Sequence, residues 1–252
     1  MSFIDTLGNV AKSAGAFLKG NSLGSSLAKT AILGFALNKV NKSMNKANEV
    51  PDTGARVQVN PNTNAHIPVV YGEAYVPGII TDAYMSPGNN KEMYFCVTLS
   101  EKTGALINGS PSTFSFKEAY IDGLRLRFQS DGNTVDLAYD EDGNSTDKFQ
   151  GLIEMYPYKD GSTSPALFTS ETTGNLAAAY SIMPHWSSTN MMSSLCFVIV
   201  KVTYNKEKKI TNLGNLQFRV ENSMTQPGDV LNDYLTNTTY GAGLPSAEVY
   251  TS

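Results

Sequence analysis

The stretch 194-SLCFVIVKVTYNKEKK-209 decides how the rest of the chain is read. It opens with an unbroken apolar run, residues 195–200, rich in β-branched and aromatic side chains. A strand that is apolar on both faces belongs in the middle of a sheet, and this is the most hydrophobic strand-like segment in the chain. The basic 205-NKEKK-209 behind it reads as a solvated turn. A second run, 91-KEMYFCVTLSE-101, alternates clearly: Met93, Phe95, Val97 and Leu99 point one way, and Tyr94, Cys96 and Thr98 the other. Working outward, 152-LIEMYPY-158 and 215-NLQFRVEN-222 are shorter strands. The stretch 116-FKEAYIDGLRLRFQSDGNTVDLAYDEDG-143 is a meander turning at Asp122-Gly123 and Asp131-Gly132, both strong hairpin dipeptides. In 66-HIPVVYGEAYVPGIITDAYM-85, Gly72, Pro77 and Gly78 punctuate further strand-like clusters. The residues from about 55 to 226 therefore form an all-β body, of barrel or sandwich type, with an irregular Ala-rich insertion between 159 and 190.

The composition fits that reading. Of 252 residues, 41% are hydrophobic and only 17% charged, below the usual quarter for a soluble domain. The net charge of −4 argues against a phosphate-binding footprint over the whole surface, so no specific nucleic-acid binding is expected. Residues 1–48 depart from this balance, with six lysines against Asp5 alone, leaving −9 for the remainder. There Leu27, Ala31, Ile32, Phe35, Ala36 and Val40 recur at spacings of three and four, the period of an amphipathic helix. We expect residues 1–50 to be a basic helical or flexible arm, residues 51–226 the β-body, and residues 227–252 a helix followed by a glycine-rich turn. Cys96 and Cys196 lie inside apolar runs and read as buried thiols. No secretory signal is evident at the N-terminus, and the longest apolar stretch falls far short of the roughly 20 residues that span a bilayer. Synthesis in the cytosol follows as the expectation.

The last of the three parts is 227-PGDVLNDYLTNTTYGAGLP-245. Pro227 suits the first helical position, where its missing N–H would have no partner in any case. Asp229 places negative charge in the first turn. Val230, Leu231, Tyr234 and Leu235 form one apolar stripe, and Gly241 and Gly243 end the helix in a turn. A helix of about ten residues is marginal alone, so the stripe is expected to dock, on the β-body or on a neighbouring subunit.

A search for chemistry is mostly negative. His66 and His185, the only histidines, sit beside prolines, apart from any metal-ligand spacing. No nucleophile elbow, P-loop or dinucleotide fingerprint occurs. The acidic run from Asp136 to Asp147 fails the EF-hand register, because Gly143 at the sixth position would put Ala138 first and Phe149 twelfth. It reads as an acidic hairpin tip. We therefore expect no cofactor and no enzymatic activity. A hydrolase with dispersed residues is the least favoured reading. A carbohydrate-binding β-domain for host-surface attachment, with Trp186 and Tyr180 stacking on sugars, is the alternative.

Two passages carry a resemblance. Residues 67–85, IPVVYGEAYVPGIITDAYM, lead into 93-MYFCVTLSEKTG-104, and the C-terminal phrase 227–245 follows later. Together they resemble the tail-tip or baseplate hub proteins of tailed bacteriophages, relatives of the lambda host-specificity (central tail fibre) protein. The first block sets Val69, Val70, Tyr71 and Gly72 on the family's pattern. The second sets Asp233, Tyr234, Leu235, Thr236, Tyr240, Gly241 and Gly243 there, while Thr239 stands where the family often has arginine. The resemblance implies a β-rich hub of the virion that closes the distal end of the tail tube, most often as a trimer, with a hexamer as the other option. It implies a tail-tube or distal tail protein on one side and a separate fibre or spike protein on the other. Residues 1–48 would reach the tape-measure protein. The expected assembly residues are Val230, Leu231, Tyr234, Leu235, Tyr240 and Gly241 in the C-terminal part, with Ile32, Phe35 and Val40 in the arm.

Overall fold

The computed structural model describes residues 66–87 and 90–249. The expected arm, with Ile32, Phe35 and Val40, lies outside the described residues.

The described chain is mainly β, in two antiparallel sheets. In chain order the strands are β1 (Glu73–Val76), β2 (Ile79–Met85), β3 (Glu92–Glu101), β4 (Phe114–Ile121), β5 (Leu124–Phe128), β6 (Val135–Tyr139), β7 (Ser145–Thr146), β8 (Ile153–Tyr158), β9 (Leu195–Thr203) and β10 (Leu216–Asn222). Three helices join them: α1 (Ala179–Ile182), α2 (Pro227–Thr236) and α3 (Ser246–Val249). One sheet runs β1-β10-β4-β5-β6-β7, the other β2-β3-β9-β8.

The hydrophobic run at 195–200 lies where its composition demands, as β9 between β3 and β8. Its residues Cys196 to Val200 are buried without a break, because both faces of the four-stranded sheet are covered. Alternation on β3 sorts the two faces. Met93, Phe95, Val97 and Leu99 join Val198, Val200 and Val202 of β9 in a core shared with Phe116, Ile121, Phe218 and Val220 of the six-stranded sheet. Tyr94 and Cys96, with Phe197 and Ile199, instead face a second cluster, roofed by Ala179 and Met183 at α1. The irregular insertion is thus the lid of that outer face. Pro157 pairs with Val198 from β8, an edge strand, which is where a residue without an N–H does least harm to a sheet.

The six-stranded sheet keeps one face polar. On β10, Leu216, Phe218 and Val220 turn inward while Arg219 turns out, its guanidinium between Glu73 and Glu118. On β4, Phe114 and Phe116 are buried, and then the parity shifts to Ala119 and Ile121. A bulge causes the shift: Val220 pairs with Phe116 but Arg219 with Glu118, leaving Lys117 as the extra residue. The first dipeptide turns as expected, with Asp122 and Gly123 both at positive φ between β4 and β5. Such a pair matches the twist of a two-residue hairpin. Asp131-Gly132 lies inside the longer connection 129–134 between β5 and β6.

Both cysteines are free and buried. Burial pushes each thiol up to about 12, so almost no thiolate exists near neutrality. We expect an aromatic disulfide reagent at pH 8 to leave the native protein unlabelled and to titrate two thiols after denaturation. Rapid native labelling would place a cysteine at the surface and contradict this packing. Truncating Phe197, fully buried and stacked on Tyr158 with ring centroids 4.9 Å apart, should cost about 3–5 kcal/mol by denaturant unfolding.

Candidate functional site

Of the residues that the sequence marked near the C-terminus, Asp233 and Tyr240 meet at one carboxylate. Asp233, on α2, is only 4% exposed. Its Oδ2 accepts hydrogen bonds from the hydroxyls of Tyr71 and Tyr240, each at 2.7 Å. Its Oδ1 accepts the Gly104 amide at 2.8 Å. One turn earlier Asp229 Oδ1 accepts the Ile107 amide, also at 2.8 Å. Asp229 and Asp233 share a helix face by their spacing of four, and that face grips the loop between β3 and β4. A buried carboxylate needs such donors, since its acceptors have lost water.

The glycines here have physical reasons. A Cβ on Gly104 would stand 2.6 Å from Asp233 Oδ1, so any other residue would push the carboxylate off its amide. A Cβ on Gly241 would meet the Tyr234 carbonyl at 2.1 Å. The chain turns there hard against the end of α2, where the Ala242 and Leu244 amides bond the carbonyls of Tyr234 and Leu235. Asn237 finishes the turn, its side-chain oxygen taking the amides of Thr239 and Tyr240.

The stripe is expected to dock on the β-body or on a neighbouring subunit, and this seat covers it only in part. The centre of the apolar stripe faces outward, with Leu231 59% and Tyr234 52% exposed, while Val230 and Leu235 at its flanks are half-buried. Helices of globular proteins ordinarily turn their apolar side to the core, but here the side turned inward carries two carboxylates. Ile107, 52% exposed, extends the apolar row; its Cδ1 would lie 3.6 Å from a Cβ on Gly228 in the first turn of α2. Leu244, 39% exposed, stands beyond the helix end. Of the remaining assembly candidates, Tyr240 and Gly241 are half-buried in the turn that closes the seat.

Sequence reasoning named Asp233 and Tyr71 only through the resemblance and missed Gly104 and Ile107. The two resembling blocks meet at this point: Tyr71 comes from the first, Gly104 from the strand phrase that follows it, and Asp233 and Tyr240 from the second. A comparison of the chain with models of protein families and with curated proteins finds no match in either.

The remaining candidates lie elsewhere on the body. His66 lies outside regular structure and His185 in the turn after α1. His185 Nε2 lies 2.8 Å from Asp82 Oδ2, its ring stacked on Tyr84. Trp186 donates its indole N–H to the same oxygen and meets Phe197 edge-on. The tryptophan thus pins the lid to β2. Tyr180 is half-buried on α1. Three of the four aspartates of the acidic hairpin have protein partners: Asp136 with Arg127 and Gln150, Asp140 with Asn144, and Asp147 with Lys208 of the basic turn. Among the described residues no three His, Cys, Asp or Glu side chains are grouped to hold a metal ion, and no helix is long and apolar enough to cross a membrane.

Burial, and then the hydrogen bond to Asp233, raise the Tyr71 and Tyr240 phenols above their usual value near 10. Because the folded value lies above the unfolded one, the stabilisation is complete below about pH 10 and is lost as pH climbs through the folded values. We expect a phenolate titration at 295 nm to leave both tyrosines un-ionised at pH 10.5, and Asp233→Asn to let them ionise at lower pH. Asp233→Ala should lower stability by about 3 kcal/mol by leaving charged-group hydrogen bonds unmade. A loss under about 0.5 kcal/mol, the usual range for surface substitutions, would mean that the carboxylate does not hold the helix.

Proposed function

We propose that this protein is a structural component of a tailed-phage virion, a hub or adaptor at the tail tip or baseplate that joins the tail tube to a separate fibre or spike protein. The observation that carries this reading is the seating of α2. A short helix is fixed to the body by its polar side, and its apolar side is left facing outward. Fixing a helix this way supplies a prepared surface for a neighbouring subunit, with Leu231, Tyr234 and Ile107 as its anchors. Tyrosine is among the side chains that dominate the energetics of protein interfaces, and Leu231 and Ile107 add apolar area beside it. The meeting of both resembling blocks at Asp233 supports the hub assignment, because the phrases that look like the family's form one contact here.

On this reading the working unit is a homo-oligomer, a trimer by preference, made in the host cytoplasm and incorporated in the virion. Its role is mechanical: subunits close the distal tube and rearrange to open it, without bond chemistry. The finer partners, the tail-tube or distal tail protein, the fibre or spike and the tape-measure protein, belong to the same proposal.

Light scattering of the full-length chain tests it. We expect an oligomer that falls to monomer in Leu231→Glu/Tyr234→Glu. Its unfolding free energy should stay within about 0.5 kcal/mol of the parent per substitution, as for other surface changes. An oligomer indifferent to both charges would remove α2 from the interface. A wild-type monomer that also fails to join tail particles in an assembly extract would overturn the reading.

A further inference from the structure

We propose that a cavity at one end of the two sheets binds a small oxyanion, a phosphoryl or carboxylate group. This inference stands apart from the hub reading. The cavity, about 200 Å³ in volume, lies where the start of β4 and the end of β8 meet the start of β9 and the end of β10. It is several times the roughly 30 Å³ share of one water molecule, enough for such a group with part of its hydration.

The wall divides into groups already satisfied and groups left open. Asn222, 2% exposed, donates to the Val70 carbonyl at 2.9 Å and to Thr103 Oγ1 at 2.8 Å, and accepts the Met224 amide. Thr103 in turn donates to Ser112 Oγ at 2.8 Å, and the Cys196 thiol donates to the Lys159 carbonyl at 3.0 Å. The one carboxylate of the lining, Asp160, is paired with Lys102. Lys159 and Thr113, both exposed, and Ser164, half-buried, complete the lining, and no hydrogen bond engages their ammonium or hydroxyls among the described residues. With Lys102 and Asp160 cancelling, the lining carries a single uncompensated positive charge. The open groups can all donate hydrogen bonds, and the only strong acceptor is already neutralised. A cation would meet repulsion, and an apolar guest would offer the ammonium and hydroxyls no acceptor. An anion with several acceptor oxygens meets a charge-assisted donor and two further hydroxyls.

Calorimetric titration of the full chain with inorganic phosphate and, separately, acetate at fixed ionic strength tests the site. We expect saturable phosphate binding that weakens about tenfold in Lys159→Ala, the loss of roughly one charge-assisted hydrogen bond. Ser164→Ala should weaken it less. Affinity should be unchanged in Lys148→Ala, an exposed lysine paired with Asp122 at the far end of β4. Phosphate binding without acetate binding would assign a phosphoryl ligand; binding of both would assign a carboxylate or any small oxyanion. Absence of saturable heat with either anion, or unaltered affinity in Lys159→Ala, would overturn the proposal.

Discussion

The pairing of β3 with β9 is the constraint on which the rest of the fold depends. Both strands are apolar on two faces, so neither face of their sheet can be left to water. One face takes the six-stranded sheet, and that requirement fixes which residues of β4, β5 and β10 turn inward. The other takes the insertion, whose lid residues Ala179 and Met183 and the partly buried Trp186 fit over Tyr94, Phe197 and Ile199. The tie from His185 and Trp186 to Asp82 holds the far edge of the lid on β2. The end of β3 then sets the start of the loop that receives the C-terminal helix. Position thus passes from the core pair to the helix through covalent continuity.

At the helix the governing physics changes from apolar burial to hydrogen bonding. Nonpolar contact has no direction and would let a short helix roll. Two carboxylates on two backbone amides, reinforced by two phenols, fix its rotation about its own axis. This is why the apolar stripe can be presented outward at a defined angle without being consumed by the body. Exposed apolar residues scattered singly are ordinary on protein surfaces. A row of them on a helix with fixed rotation is a different case, because its geometry exists before any partner arrives.

Much of the body could be read from local pattern. The alternation at Met93 to Leu99 survives in the structure because its two faces meet different clusters. The Asp122-Gly123 turn is legible because few residues accept positive φ. The helix at 227–236 is legible from Pro227 and the spacing of its apolar residues. Its orientation is not. An apolar stripe normally predicts the buried side, and here that rule fails, because two of the three partners of Asp233, Gly104 and Tyr71, lie 129 and 162 residues away in sequence. Nothing near Asp233 announces a buried carboxylate. The same distance hides the tie at Asp82, which is 103 residues from His185. The parity change on β4 was also invisible, since a bulge at Lys117 appears only when β10 is aligned beside it.

The span of the Asp233 contacts also bears on timing. Tyr71 and Gly104 emerge early in synthesis, and Asp233 and Tyr240 come more than a hundred residues later. A ten-residue helix has little stability by itself, so its oriented form must wait until the β-body has folded and residue 240 has left the ribosome. A growing chain therefore lacks the oriented apolar row until both have happened. If α2 is the interface proposed above, neighbouring nascent chains on one message cannot engage each other through it until then.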